Sequence, residues 1–432
     1  MAWDFETEPE FERELRWMDE FVREEVEPLD FVFDDPYDKS DAAMMKAIRP
    51  LQDEVKERGL WACHLGPELG GQGFGQLKLA LMNQILGRSG FAPTVFGCQA
   101  PDSGNAEILA HYGTEEQKKR YLQPLLDGEI SSCYSMTEPH AGADPTLFVT
   151  RAERDGDEWV INGEKWFSSN ARYASFFIVM AVTDPDVSAY EGMSMLIVPA
   201  ETPGVHIVRN VGTGTESPEH ASHGYMRYEN VRVPADHVLG EPGSAFVIAQ
   251  TRLGGGRIHH AMRTIAQLER AFDMMCERAL SRETRSGKLA SLGVVQEQIA
   301  DSWIEIEQFR LLVLRTAWKI DRYKDYRTVR KDIAAVKVAM PKVYHDVVQR
   351  AMHLHGALGI SNEMPFARMM VGAEVMAIAD GPTEVHKTTV ARQVLRDHEA
   401  VDGLWPSRHL PKLKAAAHEK YGHFLEKDVG NL

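Results

Sequence analysis

The first 130 residues carry apolar side chains at the spacing of an α-helix. Near the N-terminus they recur every three or four positions, at Phe11, Leu15, Met18, Val22 and Val26. This stripe predicts an amphipathic helix, which Pro28 should end because proline cannot donate a helical hydrogen bond. Further along, Thr114 and Gln117 have the spacing of a capping box, in which each side chain binds the backbone N–H of the other residue. We therefore predict a helical domain over residues 1–130.

The pattern changes to that of β-strands between residues 131 and 245. The runs 175–180 and 195–198 are almost uniformly apolar, as expected of strands that are buried on both faces. The dipeptide Asn162-Gly163 lies between two short apolar runs and is a strong signal for a hairpin turn. A last strand pattern ends at Pro234. The sequence therefore predicts a small β-domain over residues 131–245.

Long helical stripes return between residues 246 and 398. The longest one comprises Ile258, Met262, Ile265, Leu268, Phe272, Met275 and Ala279. A second one comprises Ile299, Ile306, Val313 and Ile320. Several such stripes in succession predict a helical bundle, in which Pro341 should begin or kink a helix. No role is assigned to the polar tail over residues 399–432.

Charge and cysteine usage narrow the classes of function. The 48 basic and 64 acidic residues give a formal net charge of −16, which argues against non-specific nucleic-acid binding. No apolar run approaches the roughly 20 residues of a membrane span, and the acidic N-terminus does not resemble a secretory signal. The four cysteines form no close pair, which indicates free thiols in a reducing compartment. We therefore expect a cytoplasmic protein that neither spans a membrane nor binds nucleic acid.

Two apparent motifs are interpreted as false signals. The segment Gly70–Gly75 is glycine-rich, but it lacks the spacing of a phosphate loop and no strand precedes it, so we expect a plain loop. The segment His418–His423 has one residue too many for a zinc-binding His-Glu-x-x-His helix. The histidine pairs 259/260 and 353/355 lack the carboxylates or cysteines of a metal site. We therefore expect no metal ion.

Four motifs, taken in order, resemble those of the acyl-CoA dehydrogenase family. They are YSMTEPHAGAD at residues 134–144, NGEKWFSSN at 162–170, ENVRVP at 229–234 and ADGPTEVH at 379–386. The resemblance runs from about residue 10 to residue 398. Each motif alone is weak evidence, whereas the ordered set is specific. The segment Gly255–His260 is most similar to the dehydrogenase part of kinase-fused members.

The resemblance implies a mainly α fold with a central β-domain. Its parts are an N-terminal helical domain, a β-barrel and a C-terminal four-helix bundle. FAD is expected between the β-domain and the bundle, and its adenine end should reach a neighbouring subunit, which implies a homodimer or a homotetramer. The implied reaction is the α,β-dehydrogenation of an acyl-CoA thioester to the 2-enoyl-CoA, usually with an electron-transfer flavoprotein as acceptor.

By this resemblance, Asp380 stands at the position of the catalytic base, where most members carry Glu. The reaction needs a base for the proton next to the thioester carbonyl, and the flavin N5 accepts the hydride. Some members carry the base on the helix of Arg257, but that position is Gly256 here, which closes the alternative. Residue type alone favours Asp380 as the N-cap of a helix that begins near Thr383, because acidic caps are common. The motif context favours the catalytic role.

The resemblance also implies the residues that contact FAD. In the β-domain they are Tyr134, Ser135, Met136, Thr137, Phe167 and Ser169. Thr137 and Ser169 can hydrogen-bond the flavin edge, while Phe167 replaces the usual Trp and, by type alone, fits equally well as a core aromatic. Arg282 corresponds to the arginine at the FAD diphosphate, or else it is an ordinary surface residue. His353, Gly356 and Ala357 correspond to residues that contact the adenine half of the FAD bound by a partner subunit. Thr383 and Glu384 correspond to a further FAD-contacting segment, which follows the base in the chain.

Substrate contacts are implied for Arg257 and Gly381, and for Ala143, which stands where many members have a substrate-binding Ser. Further departures from the family pattern are Gly254 for an Asp on the CoA side, Arg285 for a Phe near FAD, Gly293 for a Gln, and Val371-Gly372 for an Arg-Asp pair. Because of these replacements, the resemblance does not specify the acyl group of the substrate or the details of the FAD contacts.

Three other functions are compatible with the sequence. A nitroalkane oxidase-like flavoprotein also uses Asp as base and passes electrons to oxygen. An acyl-CoA oxidase is a related possibility, which fast reoxidation of the reduced flavin by air would mark. A non-catalytic flavin-binding partner subunit is the third alternative. Arg257 and the order of the motifs favour a CoA thioester.

Overall fold

The computed structural model of the chain describes residues 6–67, 71–214, 216–217 and 219–425. Its N-terminal part is helical, as predicted. The helices are α1 (Pro9–Phe21), α2 (Ala42–Glu57), α3 (Gly75–Leu86), α4 (Ala92–Val95), α5 (Asp102–Tyr112), α6 (Glu115–Gln117) and α7 (Gln123–Leu126). Two π-helical stretches, Val22–Val26 and Lys118–Leu122, continue α1 and α6 directly.

Local sequence signals explain the first helices. Phe11, Met18 and Val22, which belong to the predicted stripe, are buried in the main core. The capping box of α6 is confirmed, because Gln117 N donates to Thr114 Oγ1 at 3.2 Å and Thr114 N donates to Gln117 Oε1 at 3.1 Å. The Gln117 side chain also donates to backbone carbonyls at 236 and 238. The box therefore ties the helical domain to the β-domain.

A mixed sheet lies between the two helical parts of the chain. Its strands are β1 (Ser132–Ser135), β2 (Arg151–Asp155), β3 (Glu158–Ser169), β4 (Phe176–Val182), β5 (Met193–Pro199), β6 (Val205–Val211), β7 (His223–Pro234) and β8 (Val238–Leu239). The strand order is β6-β7-β3-β2-β4-β5-β8, and β1 pairs with β4 in parallel. This sheet does not close among the described residues. The predicted β-domain is confirmed, but the expected closed barrel is wrong.

The hairpin prediction at Asn162-Gly163 is also wrong. Strand β3 runs through both residues, and the hairpin turn lies between β2 and β3 over residues 155–158. Gly163 has a φ of 148°, and a Cβ at this position would lie 2.5 Å from Thr150 Oγ1. The Asn162 side chain accepts a hydrogen bond from Asn230 N at 2.8 Å, where the register with β7 shifts. The dipeptide therefore marks a β-bulge under close packing.

The C-terminal part is a bundle of long helices. They are α8 (Ala245–Ser281), α9 (Gly293–Tyr323), α10 (Tyr326–His355), α11 (Phe366–Ile378) and α12 (Thr383–Leu395), with a short hairpin, β9 (Glu283–Thr284) and β10 (Gly287–Lys288), between α8 and α9. A further helix, α13 (Leu410–Tyr421), lies in the tail. Helix α10 packs against α8, α9, α11 and α12. It continues through the buried Pro341, so this proline does not begin a helix.

The glycine-rich segment before α3 has a structural explanation. Gly70 lies outside the described residues, and α3 begins at Gly75. The Asp321 carboxylate of α9 accepts hydrogen bonds from Gln76 N at 2.7 Å and Leu77 N at 2.8 Å. Two backbone donors that a phosphate would use at this helix N-terminus are therefore already occupied.

Two tests for other kinds of site find nothing within the described ranges. No group of three or more His, Cys, Asp or Glu side chains there is arranged to hold a metal ion. No helix in the same ranges combines the length and apolarity needed to cross a bilayer.

The helical domain is fixed to the β-domain beside the strand that carries the first motif. Asp102 Oδ1, at the start of α5, accepts hydrogen bonds from Ser132 N at 2.8 Å and Ser132 Oγ at 2.7 Å. Asn105 Nδ2 donates to the same hydroxyl at 2.8 Å, and Asn105 Oδ1 accepts from Arg252 Nε of α8 at 2.9 Å. Because these bonds are buried or partly buried, they hold α5, β1 and α8 in a fixed relation.

Candidate active site

Asp380 lies in the short connection between α11 and α12. Its backbone is left-handed, with a φ of 55°, a conformation that Asp tolerates better than most residues. Helix α12 begins at Thr383, its N-cap is Pro382, and no side chain caps it. Asp380 is therefore not the N-cap that its residue type also suggests.

The backbone of Asp380 is held from two sides. Its carbonyl oxygen accepts a hydrogen bond from Arg257 Nε of α8 at 3.0 Å, and it lies 3.2 Å from His386 Nε2 of α12. Burial lowers the pKa of His386 to about 4, so this ring is neutral at pH 7. Since a carbonyl only accepts, the neutral ring must carry its proton on Nε2. Two helices thereby hold the backbone from which the Asp380 side chain projects.

The Asp380 carboxylate faces helix α8. Its Oδ2 lies 3.2 Å from the point where a Cβ on Gly256 would stand, and 3.8 Å from His260 Nε2. The second distance is too long for a hydrogen bond. The side chain is 18% exposed, and no other described residue donates a hydrogen bond to its oxygens. The carboxylate therefore lies in a mostly enclosed place with its lone pairs free.

Several titratable groups surround this carboxylate. Burial lowers the pKa of Lys337 to about 8 and also lowers the pKa of Arg257 and of His260; in all three cases the negative charge of Asp380 opposes the shift. Lys337 is fully buried in α10 and donates a hydrogen bond to the Met376 carbonyl, near the end of α11. Asp380 therefore lies within electrostatic reach of basic groups on both α8 and α10.

Three consecutive glycines of α8 open space for side chains from other elements. A Cβ on Gly254 would meet the Tyr326 ring at 3.4 Å, and one on Gly255 would meet a carboxylate oxygen of Glu107 at 3.1 Å. Burial raises the pKa of Glu107 to about 7, with Arg252 opposing the shift. Glu107 of α5 and Asp380 therefore approach consecutive residues of the same helix.

The predicted flavin contacts of β3 lie at a second β-bulge. The register between β3 and β7 shifts between Lys165 and Ser168, and Phe167 there adopts a left-handed φ of 53°. The bulge turns the Phe167 ring to the surface, where it is 42% exposed and stacks on His223 with a centroid distance of 5.0 Å. Ser169 Oγ lies 2.9 Å from His223 Nδ1. Phe167 is therefore not the core aromatic that its residue type also suggests.

The first motif lies beside this bulge, since Trp166 N donates a hydrogen bond to Thr137 O at 2.7 Å. Tyr134 is packed under the Arg252 guanidinium, 4.0 Å from the ring centroid, and its buried hydroxyl has no hydrogen-bond partner among the described residues. Ser135 is fully buried and bonds to Ser168 and Tyr228, both at 2.9 Å, so its side chain faces the sheet core. Met136 and Thr137 are partly exposed.

The other predicted site residues lie farther along the chain. Arg282 follows the end of α8, and His353, Gly356 and Ala357 lie at the end of α10; all four are exposed, as is Ala143 after β1. Gly381 directly follows Asp380, Thr383 is the first residue of α12, and Glu384 is exposed on the first turn of that helix. The FAD and substrate contacts of these residues stay predictions.

Sequence reasoning missed His260, Lys337, His386 and Arg252. His260 lies four residues after Gly256 on α8, so the helical period alone places both on one face. His386 lies three residues after the start of α12. Lys337 and Arg252 carry no local signal, since their neighbours come from other helices.

The comparisons with known proteins agree with this geometry. Three family descriptions match the chain in order: acyl-CoA dehydrogenase, N-terminal domain, over residues 9–129; middle domain, over residues 133–231; and C-terminal domain, over residues 243–395. Together they cover most of the described chain and follow the helix–sheet–helix order of the fold.

Named relatives point to the same family. "Probable acyl-CoA dehydrogenase FadE2" of Mycobacterium tuberculosis is 44% identical over 352 residues, which are 81% of this chain and 85% of that protein. Acyl-CoA dehydrogenase family member 11 of Gallus gallus is 42% identical over 388 residues, which are 88% of this chain but only 49% of that protein. The chain thus spans about half the length of the latter relative.

A solved structure from Mycobacterium abscessus, assigned to the acyl-CoA dehydrogenases, superposes with a TM-score of 0.84 at 38% identity. It covers 91% of this chain and 100% of its own. The domain matches, the relatives and the superposition agree along most of the length, and the chain therefore belongs to the acyl-CoA dehydrogenase family of oxidoreductases.

Proposed function

We propose that this chain binds FAD and dehydrogenates an acyl-CoA thioester to the 2-enoyl-CoA, with Asp380 as the base and the flavin N5 as hydride acceptor. The observation that carries the proposal is the Asp380 carboxylate, which is mostly enclosed and receives no hydrogen bond from any other described residue. A carboxylate whose oxygens are free can accept a proton from a bound substrate.

The residues around the site suit the cofactor. The exposed ring of Phe167 offers a face on which an aromatic ring system can pack, and Thr137 and Ser169 offer hydroxyls beside it. When bound, FAD supplies the two-electron acceptor that the protein itself lacks. Arg282, His353, Gly356, Ala357, Thr383 and Glu384 would hold the remainder of FAD, partly across a subunit contact.

The chain's own residues would hold the base and the substrate. Arg257 and His386 fix the backbone of Asp380, so the carboxylate is presented without reorganisation. Lys337 and Arg257 place positive charge near the carboxylate, from α10 and α8 respectively. Arg257 and Gly381 are the proposed CoA contacts, with Ala143 near the acyl group.

We also propose an electron acceptor, an oligomeric state and a cellular location for the enzyme. Acyl-CoA substrates and an electron-transfer flavoprotein acceptor are typical of this family, and we propose both for this chain. We further propose a homodimer or a homotetramer in the cytoplasm, with domain limits near residues 130, 245 and 398.

The decisive experiment is Asp380→Asn. Asn tolerates the left-handed backbone of this position, so the loop should keep its shape. We expect the variant to bind FAD and acyl-CoA but to leave the flavin yellow in anaerobic titrations in which the wild-type flavin bleaches. Asp397→Asn, which removes an exposed carboxylate paired with Lys331, is the matched control and should bleach normally.

The outcomes separate the alternatives. Normal bleaching by Asp380→Asn would remove this residue from the mechanism. Oxygen uptake with nitroalkanes, without turnover of any CoA ester, would favour a nitroalkane oxidase-like enzyme, and rapid reoxidation of substrate-reduced flavin by air would favour an acyl-CoA oxidase. Purified chain whose bound flavin no substrate reduces would indicate a non-catalytic partner subunit.

A further inference from the structure

A fully buried ion pair lies beneath the first and second motifs. Lys165 Nζ and Glu138 Oε1 are 2.9 Å apart, and both side chains are 0% exposed. Burial lowers the pKa of Lys165 to about 8, and the neighbouring Lys165 charge and hydrogen bonds hold the pKa of Glu138 below its usual value against the effect of burial. The reaction proposed above gives neither residue a role.

Each partner of the pair holds a different segment of the backbone. Glu138 accepts hydrogen bonds from Val149 N at 2.8 Å and from Thr150 N at 3.0 Å. Lys165 Nζ donates to the Met136 carbonyl at 2.8 Å. The pair therefore joins three segments: the first motif, the start of β2 and strand β3.

The segments that the pair joins carry the proposed flavin contacts. The Met136 carbonyl accepts a hydrogen bond from Lys165 Nζ, and the Thr137 carbonyl accepts one from Trp166 N at 2.7 Å. Phe167 follows two residues after Lys165 at the bulge of β3. The ion pair therefore helps to hold the first motif and strand β3 together where the proposed flavin contacts lie.

Stability alone does not account for such a pair. Removing two charges from water costs several kcal/mol for each ion, and well-packed apolar side chains are often at least as stabilising as a buried pair. What apolar side chains cannot do is accept two backbone N–H groups and donate to a carbonyl at the same time. The benefit of this pair is therefore the fixed geometry of the backbone.

We propose that Glu138 and Lys165 are positioning residues for the flavin, which set the distance between Met136-Thr137 and Phe167. This inference rests on the proposed function, because it requires FAD beside these segments. The pair acts through the backbone that it holds and does not itself react.

The test compares the double variant Glu138→Gln/Lys165→Met with Arg232→Met/Asp155→Asn. The control removes exposed ion pairs of the same sheet, in which Arg232 contacts Asp155 at 2.8 Å and Glu158 at 2.9 Å. Single removal of Lys165 would leave a buried unpaired charge, which is strongly destabilising, so the neutral double variant is the safer probe. Each apoprotein is checked by thermal melting and then titrated with FAD, and the visible spectrum of the bound flavin is recorded.

We expect the double variant to fold and to bind FAD at least tenfold more weakly, which corresponds to about 1.4 kcal/mol, with a shifted flavin spectrum. The control should keep wild-type affinity and spectrum. A pair with only a structural role would lower the melting temperature and leave the FAD affinity of the folded protein unchanged; that result would overturn the inference while the proposed function stands. If the double variant does not fold, Glu138→Asp decides, because it keeps the charge pair but shortens the side chain that accepts from Val149 N and Thr150 N. Wild-type affinity and spectrum would again count against the pair. Wild-type protein that cannot bind FAD overturns both proposals.

Discussion

Substitution of Gly256 by Ala should raise the stability of the chain and lower its activity. The ideal Cβ of Ala at this position lies 3.2 Å from Asp380 Oδ2, which is tighter than an ordinary van der Waals contact. The carboxylate must then move by a few tenths of an ångström. Since Arg257 and His386 hold the Asp380 backbone, the side chain itself has to take up that movement.

The two effects of Gly256→Ala have opposite signs. Gly inside a helix is less favourable than Ala by about 1 kcal/mol, so the variant should be slightly more stable than wild type. A misplacement of 1 Å in an active site can lower the rate about 100-fold, so a few tenths of an ångström should lower the rate of flavin reduction roughly three- to tenfold. The matched control is Gly254→Ala, whose Cβ would meet only the Tyr326 ring, at an ordinary 3.4 Å.

Chemical denaturation and anaerobic stopped-flow reduction would measure both effects for both variants. The expected result is a similar gain in stability for the two substitutions and a slower reduction for Gly256→Ala alone. If Gly256→Ala reduces flavin as fast as Gly254→Ala, then the carboxylate does not act from the position that faces α8. If both variants are equally slow, rigidity of α8, rather than crowding of Asp380, limits the rate.

Three further predictions concern the same structure. Burial raises the pKa of Glu107 from 4.5 to about 7 on folding, so the folded state holds an extra proton between these values and loses stability as the pH rises through them. Glu107→Gln should therefore gain roughly 1–3 kcal/mol of stability at pH 8 and almost nothing at pH 4, as measured by denaturant titration. Equal effects at both pH values would show that the shifted pKa is not the cause. Thr114→Ala removes the cap of α6 and should cost about 1 kcal/mol in the same assay, whereas no change would mean that the box is dispensable. Asp380→Glu should slow flavin reduction at least tenfold, since the longer side chain has little room opposite Gly256; wild-type rates would show that the site adapts.

Local signals were sufficient for the elements that depend on neighbouring residues. The apolar stripe of α1, the capping box at Thr114 and the buried runs that became β4 and β5 are each decided within a few residues. The order of the four motifs identified the family and placed Asp380 in the chain. These features can be found in one sequence because their physical causes lie within it locally.

Features that depend on distant partners could not be predicted in this way. Asn162-Gly163 looks like a turn, yet the approach of Thr150 and the pairing with Asn230 make it a bulge within a longer strand. Closure of the sheet depends on which edge strands pair, which strand patterns do not specify. Lys337 lies in the candidate site only because α10 packs beside the end of α11. Its hydrogen-bond partner there, the Met376 carbonyl, is 39 residues away along the chain.

The short acid at position 380 and the glycine at position 256 explain each other. Helix α8 approaches closely enough that a Cβ at 256 would already crowd the Asp380 carboxylate, so a base one methylene longer would need a wider gap. A left-handed backbone at 380 also favours Asp over Glu, because the short side chain can be accommodated there at low cost. The departure from the more common Glu is therefore matched by two features of the surrounding structure. In the proposed mechanism, the shorter acid changes the distance from which the base acts.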